Sequence, residues 1–196
     1  MSSVVVDLLR KMRALQLVDN DRNKQLRGDI LDRLSTMLLT DDERALHMGL
    51  PPGCRVRESA KILCIEKLEI GENCNIAEHA VVDASGGLKI GSNTTIGVSV
   101  LVWSHSSHLV NLKLENKVGS SLIIRKATEI GDGCFISGPS TILAGSKIGS
   151  KCIIQPFSCV SGRIPDRSIV TPQGVSEGVL TDARIELMAK MSSRHI

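Results

Sequence analysis

Aliphatic residues recur at every sixth position through the middle of the chain: Ile70, Ile76 and Val82; Ile90, Ile96 and Val102; and Ile130, Ile136, Ile142, Ile148, Ile154 and Val160. The next residue is often glycine, as at Gly71, Gly91, Gly97, Gly131 and Gly149. The fourth position on is small or β-branched: Cys74, Ala80, Thr94, Val100, Cys134, Ser140, Ser146, Cys152 and Ser158. A period of six fits neither an α-helix nor a simple alternating strand. It predicts short strands joined by tight corners. Three such faces close a triangular coil of roughly 18 residues, and coils stack at the strand spacing of about 4.8 Å. The aliphatic side chain points inward onto its equivalents above and below, and the small residue fits the corner. Gly, Asn and Asp at 71, 73, 91, 93 and 131–133 suit corners that need positive φ. Each coil then draws its stability from its neighbours.

The period breaks twice. Val82 and Ile90 are eight residues apart, so two residues are added near Ser85-Gly86-Gly87. Val102 and Ile130 are 28 apart, which is no multiple of six, so a loop leaves the coil at about 104–127. Long loops on a regular scaffold are often functional. Ahead of the coils, Val5, Leu8, Leu9, Met12 and Leu15 recur at helical spacing, and so do Leu26, Ile30, Leu34, Met37 and Leu38. Asp19, Asn20 and Asp21 offer a break and a cap between the two runs. The expected organisation is a helical hairpin over 1–50 that covers the edge of the first coil, a β-helix over 51–172, and a C-terminal region over 173–196. The segment 175–192 reads as an amphipathic helix that caps or packs on the last coil.

Composition sharpens this reading. Aromatic residues are 2% of the 196 residues, so the core wants aliphatic and small side chains rather than the rings of a conventional sandwich or bundle. A net charge of +3, scattered and not interleaved with aromatics, gives no argument for nucleic acid. No apolar run is long enough for a membrane span. The N-terminus lacks the pattern of a secretory signal, which points to the cytoplasm. Three of the six cysteines, Cys74, Cys134 and Cys152, share one slot of the repeat, which favours packing over metal binding. No metal site is expected.

Over 56–172 the pattern resembles the hexapeptide-repeat acyltransferases, and within them the sugar and polysaccharide O-acetyltransferases most closely. The stretch TEIGDGCFISGPSTILAGSKIGSKCIIQPFSCVSGRIPDRSIV carries the resemblance best. It implies a left-handed parallel β-helix, acetyl-CoA as co-substrate, a sugar or polysaccharide acceptor and a homotrimer. It also implies a histidine near the start of the loop as the base that takes the acceptor's hydroxyl proton. His is the side chain best suited to that task near neutral pH. Aligning VWSHSSHLV with the family places the best match at His108 and leaves His105 as second candidate. The carboxylate that would orient the imidazole is not identified, because Ser106 and Ser107 stand between the two histidines. Trp103 could stack on a sugar ring or pack at the loop root. By position in the family pattern, Gly138, Ala144, Gly145 and Ser158 are candidates for the pantetheine arm. Lys151, Arg163 and Arg167 are candidates for the CoA phosphates. Gln155 and Phe157 stand where the family has small residues, and TPQGV replaces its usual close.

The function expected from these residues is acetyl-CoA-dependent O-acetylation of a sugar hydroxyl, of a surface polysaccharide or its precursor, by direct attack on the thioester. Three alternatives stand beside it: a non-catalytic β-helix scaffold, an acyltransferase for an amino sugar or serine, and a zinc enzyme on the same scaffold using His79, His105 and His108. The histidine spacing argues against the last.

Overall fold

The computed structural model describes residues 20–114 and 121–192. The first predicted helical run, over 4–18, lies outside them. The chain forms two compact units, Met1–Leu38 and Leu39–Ile196. In the first, α1 (Asp21–Ser35) begins within the expected break at Asp19, Asn20 and Asp21, and of these Asn20 is the cap: the Asn23 N–H donates to Asn20 Oδ1 at 2.8 Å. Its apolar residues Leu26, Ile30 and Leu34 are exposed.

The second unit opens with α2 (Asp41–His47). Thr40 and Glu43 form a reciprocal capping box at its start. Its Arg44 is buried and donates at 2.6 Å to the carbonyls of Val56 and Leu39. Val56 belongs to the first strand of the β-helix, so α2 covers the end of the stack.

The stack is a three-sided parallel β-helix of about six turns. Face A carries β1 (Arg55–Val56), β4 (Asn75–Ile76), β7 (Thr95–Ile96), β12 (Phe135–Ile136), β15 (Ile153–Ile154) and β18 (Ile169–Thr171). Face B carries β2 (Lys61–Leu63), β5 (Val81–Asp83), β8 (Leu101–Val102), β13 (Thr141–Ile142) and β16 (Cys159–Val160). Face C carries β3 (Leu68–Ile70), β6 (Leu88–Ile90), β11 (Thr128–Ile130), β14 (Lys147–Ile148) and β17 (Arg163–Ile164). The registers stack Val56, Ile76, Ile96, Ile136, Ile154 and Val170 on face A. On face B they stack Ile62, Val82, Val102, Ile142 and Val160. On face C they stack Ile70, Ile90, Ile130, Ile148 and Ile164. Every aliphatic position read from the period lies in one of these columns.

The small slots are the corners. Between faces C and A, Cys54, Cys74, Thr94, Cys134, Cys152 and Ser168 stack and are buried. Five of them reach a backbone carbonyl of the neighbouring coil: Cys54 to Gly71, Cys74 to Gly91, Thr94 to Gly131, Cys134 to Gly149 and Cys152 to Pro165, at 2.9–3.3 Å. A thiol and a hydroxyl therefore do one job there: each donates to a backbone carbonyl of the corner in the next coil. The hydrogen bond shared with Cys152, and then burial, push the Cys134 thiol well above its usual range.

The far end departs from expectation. Residues 174–176 form β19 (Gly174–Ser176), which folds back antiparallel onto β18 and closes that end of face A. The C-terminal helix is shorter than predicted, α4 (Asp182–Ser192), and residues 182–191 are exposed. It is tied down at its first turn, where Asp182 receives Arg167 at 2.9 Å and Lys151 at 3.3 Å. Among the described residues no helix is long and apolar enough to cross a membrane.

Candidate active site

The corner between faces B and C is where both breaks in the period fall. In one coil it holds the two added residues around Ser85-Gly86-Gly87. In the next it releases the loop. That loop runs out through β9 (His105–Ser106) and a helical turn, α3 (His108–Leu112), and returns through β10 (Ile124–Arg125) to β11. Strands β9 and β10 pair antiparallel, with His105 opposite Arg125.

Asp83 lies at the root of this corner and is 1% exposed. The register sets Val82 beneath Val102, so the chain leaving β8 passes directly over Asp83. His105 Nδ1 is 2.7 Å from Asp83 Oδ2. The Ser104 N–H and hydroxyl each donate to the same oxygen at 3.1 Å, and the Ser85 N–H donates to Oδ1 at 3.1 Å. Ser104 Oγ in turn accepts the Gly86 N–H at 2.8 Å, and the Ser104 carbonyl accepts the Lys126 N–H at 2.9 Å. Gly86 has no room for a side chain, because a methyl there would land on the Ser104 carbonyl oxygen.

Burial alone would raise the Asp83 pKa. The hydrogen bonds from His105, Ser104 and Ser85 outweigh it and hold the carboxyl below its ordinary value. An ionised carboxylate only accepts, so Nδ1 of His105 carries the proton it gives to Asp83. Nε2 is left as the free basic nitrogen. The His105 side chain is 30% exposed, and among the described residues no hydrogen bond occupies Nε2. Trp103 meets the imidazole edge-on, with ring centres 6.0 Å apart. Trp103 is itself fixed at its backbone: its N–H donates to Ile142 at 2.9 Å, and its carbonyl accepts the Thr128 hydroxyl at 2.7 Å.

His108 stands at the start of α3, exposed, with Nδ1 2.7 Å from Ser106 Oγ. Both histidines thus have a partner at Nδ1. For His105 it is a buried carboxylate, and for His108 an exposed hydroxyl.

No family model matches the chain. It is 26% identical over 159 residues to the bifunctional protein GlmU of Wolbachia pipientis wMel; the match takes in 69% of this chain and 36% of that protein. The chain thus matches about a third of the length of that relative. Among solved structures, a hexapeptide-repeat acetyltransferase from Vibrio cholerae O1 biovar eltor, complexed with acetyl coenzyme A, superposes with a TM-score of 0.63. The identity is 20%, covering 83% of this chain and 91% of that one. A maltose O-acetyltransferase from Clostridium difficile 630 gives 0.57 at 20% identity, covering 76% and 81%. The chain has the hexapeptide-repeat acetyltransferase fold.

On that fold the remaining candidate residues fall on different corners. Ala144 and Gly145 lie on the same B–C corner as His105, one coil further along, and the Lys126 side chain packs against Gly145. Arg163 begins β17 just past that corner and is exposed. Gly138 and Ser158 lie on the A–B corner. A methyl at Gly138 would land on the Val98 carbonyl oxygen, and Ser158 Oγ is buried without a hydrogen-bond partner among the described residues. Gln155 and Phe157 are exposed on the same corner. Lys151 and Arg167 lie on the C–A corner, engaged by Asp182. One chain therefore gathers Trp103, His105, Ala144, Gly145 and Arg163 along one edge, and leaves Gly138, Ser158, Lys151 and Arg167 on the other two. Among the described residues no group of three or more His, Cys, Asp or Glu side chains is placed to hold a metal ion.

Proposed function

We propose that this protein is an acetyl-CoA-dependent O-acetyltransferase acting on a sugar hydroxyl, of a surface polysaccharide or its precursor, with His105 as the base. The observation that carries this reading is the Asp83–His105 pair. A buried, ionised carboxylate fixes the tautomer and leaves Nε2 free at the mouth of a loop. The fold shared with a structure holding acetyl coenzyme A and with a maltose O-acetyltransferase supports the reaction class.

The acceptor oxygen attacks the thioester carbonyl as Nε2 takes its proton. The imidazolium that forms is stabilised across 2.7 Å by Asp83. A backbone N–H of the adjoining coil stabilises the oxyanion. The intermediate collapses, the C–S bond breaks, and the proton on Nε2 passes to the departing thiolate. No acyl-enzyme is required. Ser85 Oγ is 3.1 Å from Nδ1, the nitrogen committed to Asp83, so it is not activated as a nucleophile.

Ala144, Gly145 and Arg163 share an edge with His105 and are the cofactor contacts this geometry favours. Gly138 and Ser158, on the next edge, would meet the cofactor of a neighbouring chain. The arrangement expected is a homotrimer, and the outward residues of the three faces support that packing. Face C carries Glu69, Lys89, Glu129, Lys147 and Arg163, in register. Face A turns from Arg55 and Asn75 to Phe135, Ile153 and Ile169, and Phe135 is 51% exposed. Face B carries Lys61, Val81, Leu101, Thr141 and Cys159 at the same positions, so faces A and B are the ones to be covered, and face C the one left to solvent. The test is to incubate the purified protein with acetyl-CoA and a panel of sugars and glycans and to follow release of the CoA thiol. Transfer to hydroxyl acceptors is expected. Transfer only to amines, or none, contradicts the reading.

A further inference from the structure

We infer that the acceptor bound at His105 carries a negative charge, a phosphate or carboxylate on the sugar, held by Lys67 and Arg125. This inference rests on the reading of His105 as the base. Lys67 and Arg125 approach the imidazole from two segments of the chain. Arg125 is directly opposite His105 in the β9–β10 ribbon. Such partners have Cα atoms about 5 Å apart and side chains on one face of the ribbon. Lys67, on the same corner two coils before that of His105, donates from Nζ to the Ser85 carbonyl of the coil between them at 3.3 Å, and the Ser85 hydroxyl touches His105 Nδ1. Lys126 follows Arg125, bonds the Ser104 carbonyl through its N–H and packs its stem on Gly145.

Among the described residues none of the three has an acidic partner. The carboxylate at the centre of the cluster, Asp83, is buried and spends its acceptor capacity on His105, Ser104 and Ser85. Glu66, beside Lys67, forms no ion pair with them. The contrast lies on the adjacent face C, where Lys89 is matched by Glu69 at 3.9 Å and Lys147 by Glu129 at 2.8 Å. Among the described residues Lys67 and Arg125 are thus cations without an acidic partner flanking the reactive imidazole, and they set up a positive potential that an anionic ligand relieves.

Two ligands could supply the anion: the phosphates of CoA, or the acceptor. Position decides for the acceptor. The thioester must reach Nε2 for the reaction to occur, and the whole pantetheine arm then separates that point from the CoA phosphates. Arg125 and Lys67, a side chain away from the imidazole, are too close to it to meet them. The group they meet is attached to the molecule whose hydroxyl is at Nε2, with Trp103 beside it as a surface for the sugar ring.

The experiment is a calorimetric titration of the full chain. CoA is titrated first. Glucose 1-phosphate, glucuronate and glucose are then titrated into the CoA-saturated protein, for the wild type and for Lys67→Ala and Arg125→Ala. All three cations are exposed, so the variants are expected to fold. The expected result is that at least one anionic sugar binds about tenfold or more tightly than glucose. That margin should shrink in both variants while the CoA affinity is unchanged. The inference is overturned if all three sugars bind alike, if none binds, or if the variants weaken CoA instead, which would give the cations to the cofactor. Failure of CoA to bind in the first titration overturns the underlying reading, and is seen separately.

Discussion

His105 and His108 are close in sequence and differ in what stands behind them. A base near neutral pH needs a fixed tautomer and something to stabilise its protonated form, and a buried carboxylate gives both. Asp83 is therefore the residue on which the geometry turns. Asp83→Asn should keep the fold, because Asn occupies the same volume, and should lower acetyl transfer about a hundredfold. Stability gives a second readout. The folded pKa of Asp83 is depressed, so its contribution is present above the ordinary carboxylate value of about 4 and is lost as pH falls through the lower folded value. Urea titrations should show the wild type more stable than Asp83→Asn at neutral pH, with the gap closing in acid. Parallel pH profiles would show that the carboxylate is not held ionised by the fold. Asp83 could have been found from sequence. The aliphatic columns already set Val82 under Val102, which brings Asp83 below Trp103 and two residues from His105. What the family pattern offered was a search for the carboxylate between the histidines, and the partner comes from the coil beneath.

At the scale of elements, the chain's punctuation was largely legible. The six-residue columns, the two insertions and the position of the loop all follow from spacing, because inward aliphatics and corner residues answer to local geometry. The ends were less so. Residues 175 and 176 read as the start of a helix and lie in β19 instead, since the open edge of β18 offers backbone bonds that an isolated helical turn does not. The role of α2 also depends on one residue that spacing does not reveal. Arg44 brings a guanidinium into the end of the stack and satisfies the Val56 carbonyl there. Arg44→Met should fill the space but leave that carbonyl without its donor, at a cost of about 2–3 kcal/mol. Chemical denaturation checks this, and the variant should also speed amide exchange at the first coil. A loss near zero would mean that α2 does not seal that end.

For the molecule as a whole, stability is distributed along three aliphatic columns and the corners that join them. Four cysteines, Cys54, Cys74, Cys134 and Cys152, are buried in one corner, while Cys64 and Cys159 are exposed. A thiol reagent should label Cys64 at once. The four corner cysteines should react only as the coils unfold, and Cys159, on face B, should be slowed where chains associate. Early labelling of the corner cysteines would contradict a stack that unfolds cooperatively. The most direct test of the central claim compares His105→Ala with His108→Ala in single-turnover acetyl transfer at saturating acetyl-CoA. The Asp83–His105 pair predicts a loss of about 10²–10⁴-fold for His105→Ala and a change of less than about tenfold for His108→Ala. The reverse order, or near-normal transfer in both, would contradict it.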